Sequence, residues 1–468
     1  MGGKLLKALA LLVLLLCGSS LLMLWRWDAQ GHQPSTGEAL LYLLVLPLML
    51  FAGLLLLRWA WQAVLLPGLA AEKAAAAAEP AAAAAAPPTR SAEEQARERA
   101  HPVLSAQLRL SAGSSASEVQ DALQSGKAAP GVDSELRGAR GLPILAARMA
   151  DLDPSALEAS WPDADRELST ATRRALAALL EPLQRSADDI HQALAAWTQE
   201  PAPSLRLLLQ TGCTARESEA VAQWVQQQLA EATGLSLERL RIEPLPAAAE
   251  PAQAIWQGAD RLLTLLQRER SPDLLVLVAA HSHLAEDLVE RWEAEGRLFD
   301  AERQPKGLMP GEGAAVLVLG PADWPALGDE PPLPHLHRPV LAQRDKSIEA
   351  PGKVGHQVLE AVLAQTLALG RCGAEALGSL VCDADRHGPR NTELFGAVLA
   401  HKLPLDPIED MQLLGAACGH LGSVGSVAAV ALAAQRAAAD EEHRPSLILG
   451  LNDLQARLGL LVRRGAPA

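Results

Sequence analysis

Residues 310–319 read Pro-Gly-Glu-Gly-Ala-Ala-Val-Leu-Val-Leu, and this stretch limits the possible folds more tightly than any other. Glycine tolerates positive φ and close backbone approach, so Gly311 and Gly313 mark a turn. The run behind them is apolar without a break. A strand with one wet face alternates polar and apolar residues, whereas an unbroken apolar strand is buried on both faces. The soluble part of the chain therefore needs a sheet covered on either side.

The rest of the soluble sequence agrees. Strand-like runs at 103–110, 205–209, 240–242, 274–279, 379–383, 447–451 and 458–462 alternate with helical periodicity. The helical stretches fall at 115–123, 166–183, 188–197, 217–229, 252–266, 357–369, 392–400 and 424–438. Such alternation predicts a layered α/β domain.

The charge balance is acidic, 41 Lys+Arg against 55 Asp+Glu. With no basic stripe, nucleic-acid binding has no footprint here. Five cysteines, at positions 17, 213, 372, 382 and 418, show no CxxC spacing. That pattern fits reduced thiols rather than a disulfide framework.

Ahead of the domain, residues 9–25 and 40–57 are almost wholly apolar. Each approaches the ~20 residues that cross a hydrocarbon core. Trp25, Trp27, Trp59 and Trp61 sit at their ends, where an interfacial belt would place them. Residues 1–70 thus read as a two-helix transmembrane hairpin held in the lipid bilayer. Lys4 and Lys7 precede the first span, and Arg58 and Lys73 follow the second. The positive-inside rule then puts both termini in the cytoplasm of a bacterial inner-membrane protein. Residues 71–100, with alanine blocks and Pro80, Pro87 and Pro88, read as a solvated linker. The domain occupies 101–468.

Five stretches carry a family resemblance. They are 103–130, 141–153 (GLPILAARMADLD), 205–213, 310–319 and 418–426 (Cys-Gly-His-Leu-Gly-Ser-Val-Gly-Ser). In this order they resemble the ketoacyl synthase branch of the thiolase superfamily over nearly the whole soluble part. The resemblance implies an αβαβα fold of two similar βαβαββ halves in five layers, and a possible homodimer. It also implies a nucleophilic cysteine at a helix N-terminus, two histidines or a His/Asn pair, and often a lysine. A helix N-terminus and neighbouring cations favour thiolate.

Here the matching turn, 246–250, is Pro-Ala-Ala-Ala-Glu, with Ala247 at the expected nucleophile position. It offers no attacking atom. His420 matches the second family histidine, but the lysine expected before it is missing from 413–417 (Leu-Leu-Gly-Ala-Ala). His387-Gly388 aligns with the first histidine motif without its Thr-x-Thr pattern, and reads as an exposed loop histidine. Cys213 follows Gly212 ahead of a helix, a setting for a reactive thiol, although a small buried residue at a turn is the commoner use of such a cysteine. Residues 450–454 lack the family's glycine-rich strand-turn.

Outside the resemblance, His281 and His283 form an HxH pair at a strand end. They project to one side and suit zinc only with a third ligand, so a loop or capping role is preferred. His335 and His337 repeat that ambiguity. No P-loop or dinucleotide fingerprint is present, and no metal or cofactor is expected. The sequence predicts a membrane-anchored, catalytically degenerate thiolase-like protein that recruits a protein partner. By architectural analogy, such a protein would suit the membrane-tethered accessory role found in bacterial secretion machines, type VI systems among them. The competing expectation is a membrane-bound ketoacyl synthase or acyltransferase. A third is an acyl-chain or acyl-carrier-protein binding module.

Overall fold

The computed structural model describes residues 97–161, 167–245, 251–325, 332–440 and 442–465, within the compact unit 90–468. Both N-terminal apolar runs, most of the linker and the 246–250 turn lie outside the described residues. Among the described residues, no helix is long and apolar enough to cross a membrane.

The chain builds one plan twice. The first half runs β1 (His101–Leu110), α1 (Ala116–Gln124), the hairpin β2 (Gly131–Arg137) and β3 (Pro143–Ala146), then α2 (Thr170–Ala196). It continues through β4 (Leu205–Thr211), α3 (Ser218–Thr233), β5 (Leu240–Ile242), α4 (Pro251–Glu269), β6 (Leu274–Ser282), α5 (Glu286–Ala294) and β7 (Glu312–Leu319). After β8 (Pro334–Leu336), the second half comprises β9 (Val340–Gln343), α6 (Gln357–Leu369), β10 (Ser379–Cys382), α7 (Gly388–Ala400) and β11 (Met411–Leu413). It closes with α8 (Leu414–Cys418), α9 (Val424–Ala439), β12 (Ser446–Gly450) and β13 (Ala456–Arg464).

Pairing exposes the duplication. In the first half β1 is antiparallel to β7, β7 to β6, and β6, β4 and β5 run parallel. In the second, β9 is antiparallel to β13, β13 to β12, and β12, β10 and β11 run parallel. Each half is βαβαβαββ once the excursions are set aside. That is one β-α step more than the βαβαββ unit expected from sequence. Strand β8 pairs with both β1 and β13 and joins the halves.

Strand periodicity shows where the layers lie. On β6, Leu275, Leu277 and Ala279 enter one core, which also holds residues of α4 and α9. The alternate Leu274, Val276, Val278 and Ala280 enter a second core with α2 and α3. Ile448 of β12 joins the α4/α9 core, while Leu447 and Leu449 pack with α6 and α7 in a third. The order of layers is therefore α2/α3, sheet, α4/α9, sheet, α6/α7. Helix α9 is buried along nearly its whole length, which explains its alanine-rich sequence with one charge, Arg436, in the last turn. Trp256 of α4 donates from Nε1 to Ser426 Oγ of α9 at 2.9 Å, tying the central pair.

Sequence periodicity split α2 into two helices. The structure has one 27-residue helix with Pro182 inside it, because its apolar stripe, Ala175 to Ala193, packs continuously in one core. Tertiary burial outweighs the local propensity.

Candidate functional site at the strand ends

The parallel strands β4, β6, β10 and β12 end on one side of the domain, where open α/β sheets place their ligands. The Gly-Glu-Gly turn enters β7 there. Glu312 is fully buried. Its carboxylate accepts from Arg174 Nε at 2.8 Å and Nη2 at 2.6 Å. It also accepts from Met149 N at 2.9 Å and Ser282 Oγ at 3.0 Å. Four donors satisfy a buried charge, so this glutamate is an anchor rather than a free acid or base.

The flanking glycines are there for space. A Cβ on Gly311 would lie 2.2 Å from the Cys418 carbonyl, and one on Gly313 2.5 Å from Leu110 Cδ2. Gly419, at φ 68°, returns the contact with a hypothetical Cβ 2.8 Å from Met309 O. His420 N donates to that same carbonyl at 2.8 Å. The two strings that carried the resemblance, 310–319 and 418–426, are thus locked backbone to backbone.

An imidazole cluster surrounds this joint. His281 and His283 project to one side of β6 and stack with ring centroids 4.0 Å apart. His283 lies 4.9 Å from both His420 and Trp292 of α5, and Trp292 meets the edge of His420 at 5.6 Å. Arg297 caps the indole at 5.6 Å. His281 fits between two glycines: a Cβ on Gly212 would be 2.4 Å from its ring, and one on Gly422 2.8 Å. His283 Nδ1 contacts Gly311 O at 3.3 Å. Burial lowers the His281 pKa to about 4 and that of His283 well below the ordinary value. Burial, then repulsion from Arg390, lowers His420 to about 3. All three rings are neutral at pH 7.

His420 is oriented from the second half. Its Nδ1 meets Asn452 Oδ1 at 3.1 Å; an amide oxygen only accepts, so Nδ1 carries the proton and Nε2 the lone pair. Asn452 follows β12 in a turn that Asp383 holds by accepting Leu451 N at 2.6 Å and Asn452 N at 3.1 Å. Arg390 Nη2 donates to Asn452 O at 2.8 Å and Nη1 to Asp385 at 2.5 Å. Burial raises Asp383 to about 6.

His387 is not the exposed loop residue its context suggested. It is 4% exposed at the N-cap of α7, because Asp385 accepts its backbone N–H at 2.9 Å and turns the chain into that helix. Its Nε2 lies 3.9 Å from Glu349 Oε1 and its Nδ1 has no partner. Burial, then Arg390, lowers its pKa, so His387 and His420 share the Asp385–Arg390 pair as electrostatic neighbours.

No cysteine hydrogen-bonds either histidine among the described residues. Cys213 is partly buried, lies 3.0 Å from Thr211 Oγ1, and is raised by burial. Cys418, raised to about 11 by burial, faces Ser111 and Ala112. Cys382 is enclosed in β10, and burial raises it well above the ordinary thiol value. Among the described residues, no group of three or more His, Cys, Asp or Glu side chains could hold a metal ion. Sequence reasoning found His420, His281 and His283 but gave no role to Asn452, Asp383, Arg390 or Trp292. Asp383 and Arg390 had a signal: charged residues beside apolar strand ends.

No family model matches the sequence, and no curated protein does either. Solved structures do match. One is the ketosynthase ApeO in complex with its chain length factor ApeC from Xenorhabdus doucetiae, at TM-score 0.53 and 11% identity. That match covers 78% of this chain and 98% of the other. A second is a ketosynthase from module 6 of the bacillaene synthase of Bacillus subtilis 168, at 0.53 and 13%, covering 79% and 72%. A third is the ishigamide ketosynthase/chain length factor, at 0.50 and 12%, covering 78% and 99%.

The chain has the ketosynthase fold. At such identities the likeness extends to the fold alone, and activity must be argued from the site.

Proposed function

We propose that this is a non-condensing member of the ketosynthase fold that acts by binding a protein partner. One observation carries the reading. The position that leads into α4 is Pro-Ala-Ala-Ala-Glu, and no thiol or hydroxyl elsewhere among the described residues hydrogen-bonds His420 or His387. Two neutral imidazoles can polarise a carbonyl or stabilise a developing charge. A stable acyl-enzyme in this fold also needs a thiol or hydroxyl beside these imidazoles, and none hydrogen-bonds them among the described residues. Several structural neighbours are ketosynthases solved with a chain length factor, which supports a protein partner or a dimer. The apolar runs at 9–25 and 40–57 would hold the domain at the bacterial inner membrane. There it would serve as an adaptor, with a secretion machine such as a type VI system as one setting.

Decarboxylation of malonyl-loaded acyl carrier protein by the full-length chain tests the reading. The expected result is no carbon dioxide release above background, with recovery of a stoichiometric partner from cells unchanged in His420→Ala. Release that His420→Ala abolishes would establish the condensing-enzyme alternative instead.

A further inference from the structure

The hairpin β2–β3 leaves one strand edge open. Just past β3, Ala147 N donates to Pro310 O at 2.8 Å, and Ala147 bridges in parallel to Gly311. Backbone groups along a strand face alternate sides. Leu145 N–H and C=O and the Pro143 carbonyl therefore point as Ala147 N does, away from β2. Leu145 and Val132, which lie opposite each other, are thus a non-hydrogen-bonded pair.

The parallel pairing that begins at Gly311 does not continue along β3. Leu308 N donates instead to Arg297 O at 2.6 Å, and Leu308 O accepts from Phe299 N at 3.0 Å. The outward groups of Leu145 and Pro143 have no hydrogen-bond partner among the described residues. Leu145 is half-buried and Pro143 exposed, so the edge is within reach of another chain. Unpaired strand edges of this kind are templates for pairing.

Where the pairing stops, a cavity of about 530 Å³ opens between the two chains. Pro143, Ile144 and Leu145 line one side, and Leu298 and Phe299 the other. Leu142, also in the lining, is 56% exposed. Most lining charges are already engaged: Arg140 pairs with Asp300, and Glu293 accepts from Ala139 N at 2.6 Å. The remaining two, Glu302 and Arg303, are of opposite sign. The cavity therefore offers apolar walls and a row of backbone groups rather than a charge.

We infer that this edge binds an extended peptide segment of a protein partner as an added antiparallel strand. One residue of the segment exchanges both backbone bonds with Leu145, and the residue two further on donates its N–H to the Pro143 carbonyl. Main-chain bonds of this type supply affinity, and pockets for alternate side chains supply specificity. Apolar side chains of the segment enter between Leu145 and Phe299. The inference rests on the protein-partner reading and gives that partner a surface. It also places the partner close to the imidazoles: Ile144 and Leu298 share a small core with Trp292, whose ring meets His283 and His420.

The test pans a phage-displayed library of random short peptides against the full-length chain in phosphatidylcholine nanodiscs. Selected peptides are then titrated by fluorescence polarisation against the chain and two variants. Leu145→Pro removes the outward N–H and spares the β2–β3 ladder, in which that N–H takes no part, so thermal unfolding should stay cooperative. Leu142→Asp puts a charge on the exposed apolar lining. Leu145→Pro is expected to weaken binding at least about fivefold, the worth of one backbone hydrogen bond, and Leu142→Asp similarly. Methylating the peptide nitrogens one at a time should weaken binding at alternate positions only, because an added strand turns every second N–H toward its neighbour. Unchanged affinity in both variants, or equal sensitivity at every nitrogen, would overturn the inference. Recovery of a partner from cells keeps the two readings apart. A partner recovered undiminished with Leu145→Pro would refute this surface and leave the protein-partner reading standing. Peptide binding at alternate positions, with no partner recovered from any form, would do the reverse.

Discussion

Arg174 and Glu312 form a bidentate ion pair, at 2.8 and 2.6 Å, between the 27-residue helix α2 and the Gly-Glu-Gly turn. The pair is buried, with 10% of the arginine side chain and none of the glutamate exposed. Because Glu312 also binds Met149 N and Ser282 Oγ, it ties three segments to the end of β6. Arg174→Ala would leave that carboxylate buried and short of two donors. The expected loss is about 3–5 kcal/mol in denaturant unfolding, with Arg173→Ala, one residue away, as the control.

Gly311→Ala should be damaging for a steric reason, since its Cβ would meet a backbone carbonyl at 2.2 Å. Neither backbone can give way without breaking the contact between His420 N and Met309 O. Overpacking of this kind costs about 1–3 kcal/mol or more. Gly388→Ala, with nothing within 4 Å of the new Cβ, should unfold like the unsubstituted protein. Thermal unfolding of the two variants side by side checks both statements.

Stability should fall as pH drops from about 6.5 toward 4. His281, with its pKa lowered to about 4, His420, lowered to about 3, and His283, lowered well below its ordinary value, stay neutral in the fold while their unfolded counterparts protonate near 6.5. The unfolded state then binds more protons, so unfolding free energy rises with pH across that window and is complete above it. Asp383, raised from 3.8 to about 6, has the opposite sign: its contribution is present below 3.8 and lost as pH rises through 6. The histidines outnumber it. Unfolding free energies measured between pH 4 and 7 should slope upward, and His281→Gln should flatten the slope.

Asn452→Leu should release the His420 tautomer. The Asn452 oxygen holds the proton on Nδ1, so nitrogen chemical shifts of labelled histidine should show one fixed tautomer in the native protein. The variant should show a mixture or the Nε2–H form. An unchanged spectrum would mean that another group orients the ring.

Much of the architecture was legible because strands buried on both faces write unbroken apolar runs, as 274–279 and 314–319 do. The resemblance strings proved to be contact points: Gly311 and Cys418 touch because the fold requires their backbones to meet. Strands β8, β9 and β11, of three or four residues each, were not legible, although the equally short β5 was. The 286–294 helix and the Pro182 continuation of α2 were missed because packing, not propensity, decides them. At the site, His420 stood out by its motif. Asn452 and Arg390 did not, because long-range loop contacts assign their roles.

The absence of an acylatable side chain at the His387–His420 site is the central claim, and intact-mass spectrometry with adduct mapping tests it most directly. The full-length chain would be incubated with a reactive short-chain acyl thioester and weighed. The account predicts no stable acyl adduct on any residue lining the His387–His420 site at neutral pH, since Cys382 and Cys418 are enclosed and burial holds Cys213 as a thiol. A stoichiometric acyl adduct, mapped to any residue lining the His387–His420 site, would contradict it.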